Sequence, residues 1–211
     1  MSDGRLVKPF QYGRVPHVRR HGPRGYAEPQ RYKAWLRDEF QFRCVYCLCR
    51  ERWCPDGEDS FSVEHFRPQA WAAAEVCDYD NLLYTCVRCN AAKRDLTGVL
   101  DPAEVPLADH LEILEDGRIR GLTAEGRELI RVCQLDRPNL TEFRRGIVEV
   151  LRGLEGLGVV ARGQVLRRFF GFPSNLPRLA SLRPPGGNSR PDGIHNSFYE
   201  RRTRGDLPEF Y

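Results

Sequence analysis

Two Cys-x-x-Cys pairs, Cys44/Cys47 and Cys86/Cys89, are separated by 38 intervening residues. Each pair can form a knuckle that points two thiolates at one ion, and two knuckles complete a tetrahedral four-cysteine zinc site. Four thiolates leave no open position, so such a zinc is structural. Between the pairs lies Glu64-His65-Phe66-Arg67-Pro68, and Asn90 follows the last cysteine directly. Glu64 offers a carboxylate and Asn90 an amide oxygen, ligands suited to a hard divalent cation, Mg²⁺ or Mn²⁺. His65 can accept a proton from water at neutral pH. An activated water beside an oxygen-bound dication is what hydrolysis of a phosphodiester requires.

These residues need elements to hold them. Tyr32, Trp35, Leu36 and Phe40 recur at helical spacing and predict an amphipathic helix over 28–42. Alternation through Phe61, Val63 and Phe66 predicts a short strand ending at Pro68. Gln69 to Val76 reads as a helical turn or two, Asp78 to Asn81 as a loop, Leu82 to Thr85 as a second strand, and Val87 to Asp95 as a helix. Adjacent residues of a strand face opposite ways, so Glu64 and His65 can share one phosphate only if the strand twists or ends there.

The order C-x-x-C, E-H-x-x-P, N-L-L, C-x-x-C-N-x-x-K over Cys44 to about Asp95 resembles the HNH endonuclease family. The resemblance implies an α+β fold whose core is the ββα-metal unit stapled by the four-cysteine zinc, with flanking helices. It implies His65 as general base, Glu64 and Asn90 as ligands of the catalytic cation, and Asn81 as the brace that orients His65. Cleavage would leave a 5′-phosphate and a 3′-hydroxyl. Arg67, Lys93 and Arg94 are candidate contacts to substrate phosphates. The phrases V-E-H-F-R-P, D-Y-D-N-L-L, L-T-A-E-G-R and Q-L-D-R-P-N-L look like a bacterial subgroup that includes nuclease subunits of Septu-type antiphage systems, whose partner is an ATPase. No G-x-x-x-x-G-K-[ST] loop occurs in this chain, so an ATPase would be a separate polypeptide.

The wider sequence sets the frame. The 211 residues carry a net charge of only +4, but 30 of the 33 cations are arginine, whose planar fork suits phosphate. No apolar run approaches the ~20 residues of a membrane span, and the start of the chain does not read as an export signal, so a cytoplasmic protein with reduced thiols is expected. The organisation expected is a basic arm at 1–27, a nuclease core at 28–98, a mostly helical extension at 99–172 and a Pro/Gly/Arg-rich, loosely ordered tail at 173–211. Within the extension, Asp116-Gly117 predicts a hairpin over Leu111 to Gly121, Thr123 a helix cap, and helices are expected over 123–135, 140–154 and 164–170. Cys49, Cys54, Cys77 and Cys133 are expected as buried thiols, and Trp71 and Tyr84 as core residues. DNA is the expected substrate. An RNA or single-strand nuclease of the same fold, or a zinc-stabilised binding module without catalysis, remain open from the residues alone.

Overall fold

A computed structural model describes residues 8–211; the first seven residues of the expected basic arm, Arg5 among them, lie outside the described residues. Pro29–Tyr32 forms a 3₁₀ turn that runs into helix α1, Lys33–Glu39. The helix stops earlier than its apolar spacing suggests, because Gln41 and Phe42 both take positive φ (56° and 57°) and reverse the chain. That reversal delivers Cys44 to the first knuckle, where Leu48 at φ 61° and an antiparallel bridge between Arg43 and Arg50 close the turn.

Strand β1, Phe61–His65, pairs antiparallel with β2, Leu82–Cys86, with Phe61 opposite Cys86 and His65 opposite Leu82. Helix α2, Val87–Lys93, follows β2 without a break. Every residue of β2 is buried, as is Trp35 of α1, so this small sheet sits inside the main core. The strand-strand-helix order agrees with the sequence reading, and the α+β class holds. Helix α2 ends two residues earlier than expected because Arg94 adopts φ 49°.

Beyond the core, the hairpin of β3 (Leu111–Ile113) and β4 (Ile119–Gly121) turns at Asp116-Gly117 as expected. Gly117 has φ 83°, and a Cβ there would stand 2.4 Å from Thr141 O, so only glycine fits. The Thr123 hydroxyl accepts from Gly126 N at 3.0 Å and caps α3, Ala124–Cys133. Helices α4 (Pro138–Gly153) and α5 (Val159–Phe170) build a second apolar cluster from Ile147, Leu151, Leu166 and Phe170. Helix α5 begins five residues before the expected 164, inside the glycine-rich stretch.

The arm and the tail differ most from expectation. Arg19 donates to Leu82 O at 2.7 Å with its guanidinium over the Phe40 and Tyr79 rings, and Arg20 pairs with Asp38 at 3.0 Å. These arginines are structural, not free phosphate contacts. The tail carries α6 (Asp192–His195) and α7 (Phe198–Arg204), and Leu176 and Phe198 join Phe172 against Phe42 in a third apolar cluster. Proline and glycine content marked irregular backbone correctly, but irregular backbone still buries aromatic rings when they find a partner. Among the described residues no helix is long and apolar enough to cross a membrane.

Candidate metal centre and active site

Cys44, Cys47, Cys86 and Cys89 converge, all buried, with their four sulfurs within 4.8 Å of one another. A tetrahedral zinc with Zn–S bonds of about 2.3 Å needs sulfurs about 3.8 Å apart, and Cys47 Sγ stands 3.7 Å from Cys86 Sγ. The donor set and its dimensions are compatible with a structural zinc. Burial pushes the Cys44 thiol well above its ordinary value, and its sulfur neighbours push it further. Thiols this close resist ionising together unless a cation shares them. Arg137 supplies positive charge beside the cluster, and, against burial, the nearby Cys89, Cys47 and Cys86 raise its own value. The cluster joins the Cys44–Cys47 knuckle to the end of β2 and the first turn of α2. Cys49 and Cys54 remain outside it, half-buried, with sulfurs 3.8 Å apart. Cys77 is half-buried and Cys133 fully buried.

Immediately beyond, β1 and α2 form one wall of an open cleft of about 420 Å³, lined by Glu64, His65, Pro68, Asn90, Arg94 and Asp95 among others. The pleat separates Glu64 from His65 as the alternation of a strand requires. Ser62 and Glu64 face α2, where the Asn90 amide nitrogen donates to Ser62 Oγ at 2.8 Å and Lys93 Nζ donates to Glu64 Oε1 at 2.7 Å. His65 is the last residue of the strand, and its ring turns to the loop that follows. The strand's end therefore lets both side chains border one cleft.

The His65 ring is held from one side. Its Nε2 lies 2.9 Å from Val76 O, which can only accept, so Nε2 carries the proton and Nδ1 is left with its lone pair. Burial lowers the imidazole below its ordinary value, opposed by the Val76 bond and assisted by the Lys93 charge, so the ring is neutral at pH 7. Gln69 Nε2 stands 3.3 Å from Nδ1. Val76 is held in turn by the loop 66–81, which Asn81 ties together. The Asn81 side chain accepts from Arg67 N at 2.8 Å and donates to Arg67 O at 3.1 Å and Glu75 O at 3.3 Å.

Glu64 is 2% exposed, and its second oxygen, Oε2, has no hydrogen-bond partner among the described residues. Burial pushes the carboxyl up to about 7 against the pull of Lys93. An orphaned buried carboxylate oxygen bordering a cleft is a donor of the kind a hard divalent cation takes, and the amide oxygen of Asn90 makes no hydrogen bond among the described residues.

Two of the expected phosphate contacts need revision. Lys93 is fully buried, donating to Glu64 Oε1 and, at 2.9 Å, to His65 O, because the Asn90–Lys93 side of α2 packs on β1. It is a structural cation, not a surface one. Arg67 is half-exposed but pairs with Glu75 inside its own loop. Arg94 borders the cleft and has no ion pair among the described residues. Sequence reasoning missed Asp95, Gln69 and Gln30 as cleft residues; the break of α2 at Arg94, which turns Asp95 toward Glu64, has no signal in residue type. It also placed Trp71 in the core, whereas that indole is 76% exposed. Tyr84 is buried as expected, with its hydroxyl donating to Glu51 at 2.6 Å.

No family model matches the chain. Over 111 residues, half of this chain, it is 28% identical to the Septu protein PtuB of Bacillus thuringiensis, and the match spans 41% of that protein's length.

Proposed function

We propose that this protein is a metal-dependent endonuclease of the HNH type that hydrolyses DNA phosphodiester bonds and serves in antiphage defence beside a separate ATPase subunit. The observation that carries the reading is the imidazole of His65: its Nε2 proton is spent on Val76 O, and its Nδ1, 3.3 Å from the Gln69 amide nitrogen, borders a cleft shared with Glu64 and Asn90. A pure binding module has no need of a general base beside a pair of oxygen ligands. Similarity to a Septu protein over half the chain supports the defence role and the partner.

The chemistry assigned to this chain's residues is short. His65 Nδ1 takes a proton from water as its oxygen attacks phosphorus, and the bond from phosphorus to the 3′ oxygen breaks with its electron pair going to that oxygen, which takes a proton from solvent water, leaving 5′-phosphate and 3′-hydroxyl ends. Asn81 holds the loop that presents Val76 O, so it positions the base without touching substrate. Glu64 Oε2 and Asn90 Oδ1 would hold a Mg²⁺ or Mn²⁺ ion, which supplies charge to offset the developing negative charge on the phosphate oxygens. Arg94 neutralises a neighbouring phosphate. The thiolate-bound zinc takes no part in these steps.

A plasmid-nicking assay with Mg²⁺ or Mn²⁺ tests the reading, run beside single-stranded DNA and RNA. His65→Ala is expected to bind as tightly as the parent and to cut at least a hundredfold slower, the size of a typical general-base contribution, about 10²–10⁴-fold. Unchanged cutting by the variant would refute the assignment of the base.

A further inference from the structure

Indoles are seldom left in solvent, yet Trp71 is 76% exposed. It sits on the turn that follows Pro68, where Trp71 N donates to Pro68 O at 2.9 Å. Pro68 borders the cleft of His65 on one side and, on the other, a second groove of about 570 Å³ lined by Trp71, Arg67, Thr97 and Gly98. The opposite walls also run on: Arg94 and Asp95 flank the first cleft, and residues 97–99 the second. Trp71 is thus one turn of backbone from the wall of the cleft that Arg94 borders, and it shares its groove with the half-exposed Arg67, which pairs with Glu75.

We propose that Trp71 stacks on an unpaired nucleobase next to the scissile phosphate, so that the chain engages single-stranded or locally unpaired DNA. The inference rests on the nuclease reading and names the form of its substrate. An exposed aromatic face near a basic side chain is how proteins hold single strands: Arg94 meets a phosphate, and the ring takes a base, with each stacked base worth roughly a tenfold or greater change in affinity. A base inside a duplex has no free face to offer, so the contact requires the nucleotide to be unpaired. Trp35 is fully buried and the Trp53 indole donates to Phe169 O at 2.8 Å, which leaves Trp71 as the indole open to a ligand.

The test uses the full chain carrying His65→Ala, so that strands survive, titrated with a short oligothymidylate, an abasic strand of equal length and a duplex. Oligothymidylate is expected to quench tryptophan emission, and the abasic strand to bind about tenfold more weakly without quenching. Adding Trp71→Ala should cost about tenfold on oligothymidylate and nothing on the abasic strand, at an unchanged melting temperature; Trp71→Phe should restore most of the loss. Equal affinity of the Trp71→Ala chain for oligothymidylate overturns the stacking contact. If that equality is found while the wild-type chain still nicks plasmid, only the stacking inference falls. If the wild-type chain cuts nothing and the background chain binds no strand, the nuclease reading falls and takes this inference with it.

Discussion

Lys93 and Arg94 are neighbours in sequence and opposites in role. The Lys93 ammonium is sealed between Glu64 and the His65 carbonyl, whereas Arg94 opens on the cleft. Breaking a buried ion pair from one side leaves the other charge without compensation, which costs about 3–5 kcal/mol. Lys93→Met should therefore lower stability by about 3 kcal/mol in urea unfolding. Arg94→Ala should stay within about 0.5 kcal/mol of the parent while weakening DNA binding with a shallower salt dependence. The sequence shows two cations in a row at the end of a helix. Which one is buried depends on the face that meets β1, and that face is chosen by the packing of Asn90 and Lys93, three residues apart, against Ser62 and Glu64.

At the scale of elements, the four-cysteine cluster sits where two five-residue strands and a seven-residue helix need fixing, and a zinc held there would fix them. A two-stranded sheet is marginal alone. The four-cysteine cluster links the knuckle after α1 to the β2–α2 junction, so an ion bound there would bridge the elements on either side of the loop that carries Val76. Structural zinc contributes on the order of 10 kcal/mol of apparent binding free energy, comparable with the whole stability of an ordinary domain. Metal analysis of the parent is expected to find one zinc per chain, and Cys47→Ala should abolish it and collapse the near-ultraviolet circular dichroism; a strong chelator should do the same to the parent. The tetrad was legible in the sequence because two C-x-x-C spacings constrain backbone geometry on their own. The His65–Val76 bond was not, because it depends on how a loop of irregular backbone closes over the strand end, and Asn81 sets that closure through three hydrogen bonds to the loop's own main chain.

Over the whole molecule, residues far apart in sequence clasp the C-terminal end of α1. His21 Nε2 and Phe198 N both reach the Asp38 carboxylate, at 2.8 Å each, while His17, the Arg20 and His21 main-chain nitrogens and the Tyr79 hydroxyl surround Glu39. Burial would raise the Glu39 carboxyl, but the His17 and Arg20 bonds overcome it and hold the group at about 2. The folded value lies below the unfolded one of 4.5, so the carboxylate adds stability that is fully present above pH 4.5 and lost as pH falls toward 2. A difference of this size is worth about 3 kcal/mol. Glu39→Gln should therefore be less stable than the parent by about that amount in urea unfolding near pH 6, and the gap should close as the pH is lowered toward 2.

By itself the sequence determined the cysteine tetrad, the strand-strand-helix order around it, the hairpin at Asp116-Gly117 and the Thr123 cap, since each follows from local spacing or from the conformations that a few neighbouring residues permit. Only the tertiary structure decided that Arg19 and Arg20 of the amino-terminal segment and Phe198 of the carboxy-terminal one pack against the core, that Lys93 is buried and that Trp71 is not. Those outcomes depend on which surfaces meet, and burial is a property of partners distant in sequence that no local pattern encodes.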